Sequence, residues 1–375
     1  MRRNCWLSSI LLCASLTACG MVQEFPAEEL VPITEPATEQ TETAAASAAV
    51  TETGTEPQPV TVPETEPESE PETEPGTTGE ETPEDDAPYL LQKGNCVQVI
   101  TGEPLDLNAR LSFGDDHDPH PTVTYEGEVD TQTPGRYPIT AVLSDSEGHT
   151  RSYEFDVEVV NAPFWETIKA VITFERFLSQ NEGKSCGIDI SKWQGDVDFD
   201  KVKAAGAEFV LMRIGYGAAG GEMDEYFQQN LQNAKAAGLN VGVYFYSTAD
   251  SPDAAAGQAD WIVDALDGET LDFPVAFDWE NFEHFQDWNM SFDDLNALYD
   301  AFEERMNERG YDAMLYAEPE TLGTAWRTDG RTIWLADRGV VSDYTGDYLL
   351  RQAWNTGRID GIEGDVDLNV MNTNQ

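Results

Sequence analysis

From Lys184 onward, apolar runs alternate with segments of helical spacing. CGIDIS, EFVLMRIGYG, VGVYFYS, FPVAFDWE, DAMLYA, TIWLA, LLRQAW and DVDLNV have strand length and are rich in β-branched and aromatic residues. Between the earlier runs lie FDKVKAAG, DEYFQQNLQNAKAAG, AAAGQADWIVDAL and FDDLNALYDAFEERMNERG, whose apolar positions recur every three or four residues. Such alternation predicts an α/β domain over 184–375 with a parallel sheet. About eight strands, with little helix between the last four, predict a barrel that is irregular in its second half. Residues 88–161 have another rhythm. VQVITG, VTYEGEV, RYPITAVLSD and YEFDVEVV cluster β-formers between Gly, Pro and Asp turns, which predicts a small all-β sandwich. Between these domains, Phe164, Ile168, Val171, Ile172, Phe174 and Leu178 fall at helical spacing and predict a linker helix over 162–183.

Residues 22–87 show no such pattern. They are built from Glu, Pro, Thr, Ala and Ser, and no Lys or Arg occurs between Arg3 and Lys93. With few apolar residues and one sign of charge, such a tract has no core to offset its ordering entropy, so a disordered linker is expected over 19–87. Proline and self-repulsion keep it extended, with a reach on the order of 200 Å. The formal net charge of −50 argues against a nucleic-acid partner, which needs a basic footprint. The first residues, MRRNCWLSSILLCASLTACG, place Arg2 and Arg3 before an apolar run too short to span a bilayer, the pattern of a signal peptide over 1–18. Leu16-Thr17-Ala18-Cys19 resembles the bacterial lipobox. That resemblance implies cleavage before Cys19, a lipid on its sulfur, and an anchor on the outer face of the cell membrane. Cys96 and Cys186 fall in different predicted domains and are expected to be buried free thiols.

Candidate chemistry lies at the ends of the barrel's strands. In VAFDWEN, residues i and i+2 of a strand share a face, so Asp278 and Glu280 point one way and Trp279 the other. About 6.6 Å along a strand separates such a pair, within the range used for glycoside hydrolysis. Asp189 ends the first short strand in GIDIS, and Asp367 lies in the last, DVDLN. If the sheet closes, strands one and eight are neighbours and four carboxylates ring one mouth. Mutual repulsion and poor solvation would keep one of them protonated near neutrality, as a general acid requires. An Asp-x-Glu pair alone could equally cap a helix or pair with arginine; four acids at corresponding strand ends point to chemistry. His284 is the single histidine of this half, so Ser-His-Asp and His-Cys-Cys sites lack parts. GYGAAGGE is not followed by Lys-Ser/Thr and is no P-loop. No metal or cofactor is expected, and GDDHDPH (114–120) reads as a solvated loop. Tyr216, Tyr246, Tyr316 and Trp334 lie at or near strand ends, where aromatic faces suit pyranose rings. Singly, each also suits core packing.

Two stretches resemble known families. VDTQTPGRYPITAVLSDSEGHT (129–150) resembles bacterial immunoglobulin-like surface modules, with their Pro-Gly-x-Tyr and Asp-x-x-Gly turns. GIDISKWQG, VGVYFYS, PVAFDWEN, MLYAEP, TIWLA and GDVDLNV, in this order, resemble glycoside hydrolase family 25, the lysozymes or muramidases. This resemblance implies a flattened, irregular β/α barrel that cuts the β-1,4 bond after N-acetylmuramic acid in peptidoglycan. It implies Glu280 as general acid and Asp278 as stabiliser or nucleophile, with Asp189 and Asp367 completing the ring. Gln352 falls on the family's Trp-Gln-Tyr, here Arg351-Gln352-Ala353. The aromatic that often follows TIWLA is replaced by Asp337-Arg338, which bears on the sugar subsites. The expected protein is a monomeric, lipid-anchored peptidoglycan hydrolase. A non-catalytic wall-binding lipoprotein and an N-acetylglucosaminidase or chitinase on a similar barrel stay open.

Overall fold

The computed structural model describes residues 30–32, 87–91, 96–161, 168–282, 285, 287–338 and 344–372; Cys19, His284 and the expected signal segment lie outside the described residues. Within the acidic tract, β1 (Leu30–Pro32) pairs antiparallel with a later strand. The next six strands are β2 (Tyr89–Leu91), β3 (Cys96–Ile100), β4 (Ser112–Gly114), β5 (Thr122–Glu126), β6 (Gly135–Ser144) and β7 (Thr150–Val160). They form a β2-β4 ribbon and a four-stranded sheet in the order β3-β7-β6-β5. Period-two alternation turns Val97, Val99, Ile139, Ala141, Leu143, Phe155, Val157 and Val159 inward, and Leu111 and Phe113 join that core.

The helix expected over 162–183 is shorter than its spacing implies. β8 (Ile168–Ala170) and β9 (Ile172–Thr173) precede α1 (Phe174–Gln180). Ile168, Val171, Ile172 and Thr173 are β-branched and favour extended backbone. The Thr173 side chain then accepts the Arg176 N–H and starts the helix there.

The remaining elements are β10 (Cys186–Ile190), α2 (Phe199–Ala204), β11 (Phe209–Gly217), β12 (Glu222–Met223), α3 (Phe227–Ala236), β13 (Asn240–Ser247), α4 (Pro252–Leu266), β14 (Val275–Asp278), α5 (Phe292–Glu308), β15 (Ala313–Ala317), β16 (Ile333–Ala336), β17 (Leu350–Arg358) and β18 (Val366–Met371). Eight strands close a ring, β10-β11-β13-β14-β15-β16-β17-β18, with β12 beside β11 and β9 beside β17. The ring is parallel up to β17, and β18 runs antiparallel to both neighbours. A turn between β17 and β18 with Gly361 (φ 104°) and Gly364 (φ 92°) leaves no length for the crossover that a parallel return needs. The last strand therefore brings its beginning, rather than its end, to the mouth.

Alternation along each strand separates two apolar layers. Val210, Met212, Val243, Phe245, Val275, Phe277, Leu315 and Leu335 face the helices. Phe209, Leu211, Ala276, Met314, Tyr316, Trp334 and Leu350 fill the barrel. Cys186 is a buried free thiol; Cys96 is disulfide-bonded, which corrects the expectation for that residue.

The 114–120 stretch is not simply a solvated loop. Gly114 and Asp115 are buried, and the Asp115 and Asp116 carbonyls accept the N–H groups of Phe292 (2.8 Å) and Asp293 (3.0 Å) at the start of α5. His117 Nδ1 lies 2.9 Å from Asp293 Oδ2, and Tyr89 packs 6.4 Å from the Phe292 ring. A Cβ on Gly114 would come within 2.4 Å of a Phe292 ring carbon and 3.1 Å of Phe285.

β14 carries Asp278, and its neighbour Phe277 anchors the strand to the helical layer. The Phe277 ring lies 4.9 Å from Phe302, 6.1 Å from Tyr299 and 6.5 Å from Trp326, and is fully buried. Phe277→Ala is expected to lower unfolding stability by about 3–5 kcal/mol through lost burial and a residual cavity. Urea denaturation followed by tryptophan fluorescence measures this; a loss under 1 kcal/mol would contradict the packing described.

Candidate active site

Inward positions change character along the barrel axis. Beyond Leu211, Ala276, Met314 and Trp334, the next inward positions are Arg213, Asp278, Tyr316 and Ala336, with Asp189, Gln352, Asp367 and Asn369 on the adjoining strands. Period two, applied to strands with polar ends, thus builds an apolar plug under an acidic mouth. Asp189 and Asp367 are register partners across β10 and β18, as closure of the sheet predicts. Asp278 is in register with Tyr246 on one side and Tyr316 on the other.

The Asp278–Glu280 pair is less symmetrical than the sequence implies. β14 stops at Asp278, which is 5% exposed, whereas Glu280 lies beyond the strand and is exposed. The backbone between them is pinned from both sides. Trp279 Nε1 donates to the Ala249 carbonyl (3.0 Å) and Asn281 Nδ2 to the Ser247 carbonyl (2.9 Å), both just past β13 or at its end. Trp279 itself is buried among Phe282, Phe285, Trp288 and Trp326. Glu280 is therefore held at the mouth by its neighbours while its carboxyl stays accessible.

Side-chain amides support the acids. Asn369 Nδ2 donates to Asp189 Oδ2 (2.6 Å), and Gln352 Nε2 to Asp189 Oδ2 (3.1 Å) and Asp367 Oδ2 (3.4 Å). Trp334 Nε1 donates to Asn369 Oδ1 (2.9 Å), which turns the amide's N–H edge toward the acid. Tyr316 Oη and Arg338 Nε both donate to Gln352 Oε1 (2.9 and 3.1 Å), with the same effect on Gln352. The same bonds place three of the expected sugar-contact residues. Trp334 (1% exposed), Tyr316 (5%) and Gln352 (3%) lie beneath the mouth and orient the acids, since burial leaves no ring face for a sugar. Tyr216 and Tyr246 are half-buried register partners nearer the rim.

The sequence reading passed over several residues. Trp193 is 72% exposed on the 3₁₀ turn Lys192–Gln194 that follows β10. Lys192 Nζ lies 5.0 Å from the Trp193 ring centroid and 5.4 Å from that of Tyr216. Asp224 ties this turn down, accepting from the Lys192 N–H (2.9 Å) and Arg213 Nε (2.9 Å). The signal for Trp193 was an aromatic four residues after Asp189. Asn369 and Arg213 carried no local signal, and Arg338 was visible only as the replacement of an aromatic after TIWLA. Among the described residues no cluster of His, Cys, Asp or Glu is arranged to hold a metal ion.

Burial acts on the carboxyls first. It raises Asp278 well above the ordinary 3.8, with the Glu280 and Asp189 charges adding to it and Arg213 opposing. It raises Asp367 likewise, reinforced by Asp189 and opposed by Arg338. Asp189 is raised by burial and drawn back by the Asn369 and Gln352 amides and Arg338. Among the described residues, Asp278 Oδ1 has no hydrogen-bond partner.

A carboxyl raised on folding stabilises the fold in its protonated form. That contribution is complete below the unfolded value near 3.8 and is lost as pH rises through the folded value. Asp278→Asn removes the penalty of charging this site. The variant should melt above wild type at pH 7 by at least about 2 °C, with the gap closing toward pH 4. Thermal melts at the two pH values test this; a variant less stable at pH 7 than at pH 4, relative to wild type, would contradict it.

Residues 188–356 match the sequence profile described as Glycosyl hydrolases family 25. The chain is 28% identical to the Autolytic lysozyme of Clostridium acetobutylicum over 185 residues, 48% of this chain and 54% of that protein. It is 29% identical to Lysozyme M1 of Streptomyces globisporus over 206 residues, 50% of this chain and 67% of that protein. The match thus spans about half the length of the clostridial relative. The crystal structure of a bacterial lysozyme from Streptomyces coelicolor superposes with a TM-score of 0.44 at 25% identity, covering 51% of this chain and 93% of that one. The stretch of this chain that is similar to glycosyl hydrolases family 25 is thus residues 188–356, most of the barrel.

Proposed function

We propose that the protein is a peptidoglycan hydrolase of the lysozyme type, cutting the β-1,4 bond between N-acetylmuramic acid and N-acetylglucosamine. The observation that carries this reading is the pairing of an exposed Glu280 with a buried Asp278 at the mouth of this barrel. The two relatives named as lysozymes support it. In this reading Glu280 meets the glycosidic oxygen and gives it a proton as the C1–O bond breaks. Positive charge then develops at C1 over Asp278. Burial makes an Asp278 carboxylate costly in the free enzyme, and the developing cation offsets that cost in the transition state. Asp278 acts as stabiliser or nucleophile, and water completes hydrolysis.

The remaining parts form a delivery system. The lipobox resemblance supports a lipid on Cys19 and a place on the outer face of the cell membrane. The acidic tract and the β module, which resembles immunoglobulin-like surface modules, act as spacers that carry a monomeric barrel toward the wall. Cys19→Ala is expected to move the protein from the membrane pellet to the soluble fraction with its hydrolase activity retained. Retention of the variant in the pellet would assign anchoring to another segment.

Glu280→Gln keeps the shape but cannot donate a proton, so turnover should fall by at least about 10²–10⁴-fold with the fold unchanged. Mass spectrometry of the new reducing ends on purified peptidoglycan reads both rate and bond. Muramic acid at the new end supports the proposal. N-acetylglucosamine there assigns a glucosaminidase, and sedimentation with wall without cleavage assigns a binder. Near-wild-type turnover of Glu280→Gln would remove this residue from the acid role.

A further inference from the structure

Arg338 stands two residues past β16, where relatives in the resemblance often have an aromatic. Its Nε donates to Gln352 Oε1 (3.1 Å) and its Nη2 to Tyr316 Oη (3.3 Å). Both acceptors are neutral. Among the described residues the carboxylate paired with Arg338 is Glu318, 4.0 Å from Nη1, too far for a hydrogen bond. The Arg338 side chain remains 26% exposed. Arg213 behaves differently: it lies 2.8 Å from Asp224, with side chains 12% and 1% exposed. A guanidinium serving only as counter-ion to the acidic ring would be expected to turn its fork onto a carboxylate. Here amides of Gln352 and Asn369 hold Asp189, and Arg338 braces Gln352 from behind.

We propose that Arg338 receives a carboxylate of the glycan substrate, and so makes the barrel select anionic muramyl strands over neutral ones. This rests on the glycan-hydrolase reading above. A muramyl residue differs from N-acetylglucosamine by a lactyl ether, whose carboxylate is free when no peptide is attached; stem peptides carry carboxylates of their own. Either would meet repulsion at a mouth of four acids on a chain of formal net charge −50. A fixed guanidinium whose Nη1 makes no hydrogen bond among the described residues offsets that repulsion locally. Its planar fork matches carboxylate geometry in a way that an ammonium does not.

The test compares wild type, Arg338→Gln and Arg338→Lys in the full-length protein on three substrates. These are glycan strands stripped of peptide, the same strands with their carboxylates amidated, and peptide-bearing strands. Wild type should prefer carboxylate-bearing strands over amidated ones. Arg338→Gln should reduce that preference about ten- to hundredfold, mainly through KM, and Arg338→Lys should restore part of it. Loss of preference on stripped strands assigns the lactyl carboxylate; loss confined to peptide-bearing strands assigns the peptide. Equal losses on all three substrates, with the same shift of the pH–rate profile, would make Arg338 a counter-ion and overturn the proposal. Wild-type cleavage of all three without preference for charge would also overturn it, leaving the hydrolase reading intact. Cleavage of none would sink both.

Discussion

Two buried aspartates and a half-buried third around one barrel mouth are the constraint to which the rest of the domain answers. Asp189 and Asp278 are 4% and 5% exposed, and Asp367 is the register partner of Asp189. Each carboxyl is raised by burial before any neighbour is considered. Such a cluster is tolerable only with donors fixed in advance, because an unpaired buried charge is far more costly than a paired one. The donors here are amides rather than cations. Trp334 orients Asn369, and Tyr316 with Arg338 orients Gln352. Neutral donors hold Asp189 and Asp367 in place without cancelling the charge that the proposed reaction uses.

This arrangement explains why the barrel's lower half is so heavily aromatic. Tyr244 and Tyr316 meet the Trp334 ring edge-on, with centroids 5.7 and 4.7 Å away. They seal the interior from below while offering polar tips upward, so one layer serves packing and hydrogen bonding together. Apolar burial in this plug and in the helical layer offsets the electrostatic cost above it. The free enzyme keeps some instability at its mouth, in the form most useful to a reaction that develops positive charge.

Much of this was legible because a strand has a period of two and a barrel has neighbours at fixed places. Asp189, Asp278 and Asp367 could be assigned to one mouth on those grounds alone. The unequal exposure of Asp278 and Glu280 could not, because it depends on β14 ending between them. Trp334 and Tyr316 looked like sugar platforms, since strand-end position does not distinguish the rim from the layer beneath it. Asn369 was invisible, and Arg338 was legible only as a replaced aromatic, for the same reason: their roles come from partners on β10, β15 and β17, not from nearby sequence. At 162–183, helical spacing of apolar residues competed with β-branching, and extended backbone won as far as Thr173.

The bare backbone of Gly114 matters beyond its own turn. It admits the Phe292 ring and lies against Phe285, and Phe285 packs 6.3 Å from Trp279, the residue between Asp278 and Glu280. Strands of the β module and the segment beside the acids are thereby parts of one jigsaw. A domain of this kind is often treated as an interchangeable cassette, to be spliced ahead of any barrel. Here the notch for one phenylalanine is cut into the module, so module and barrel must change together, and a graft that ignores the notch would arrive with the wrong key.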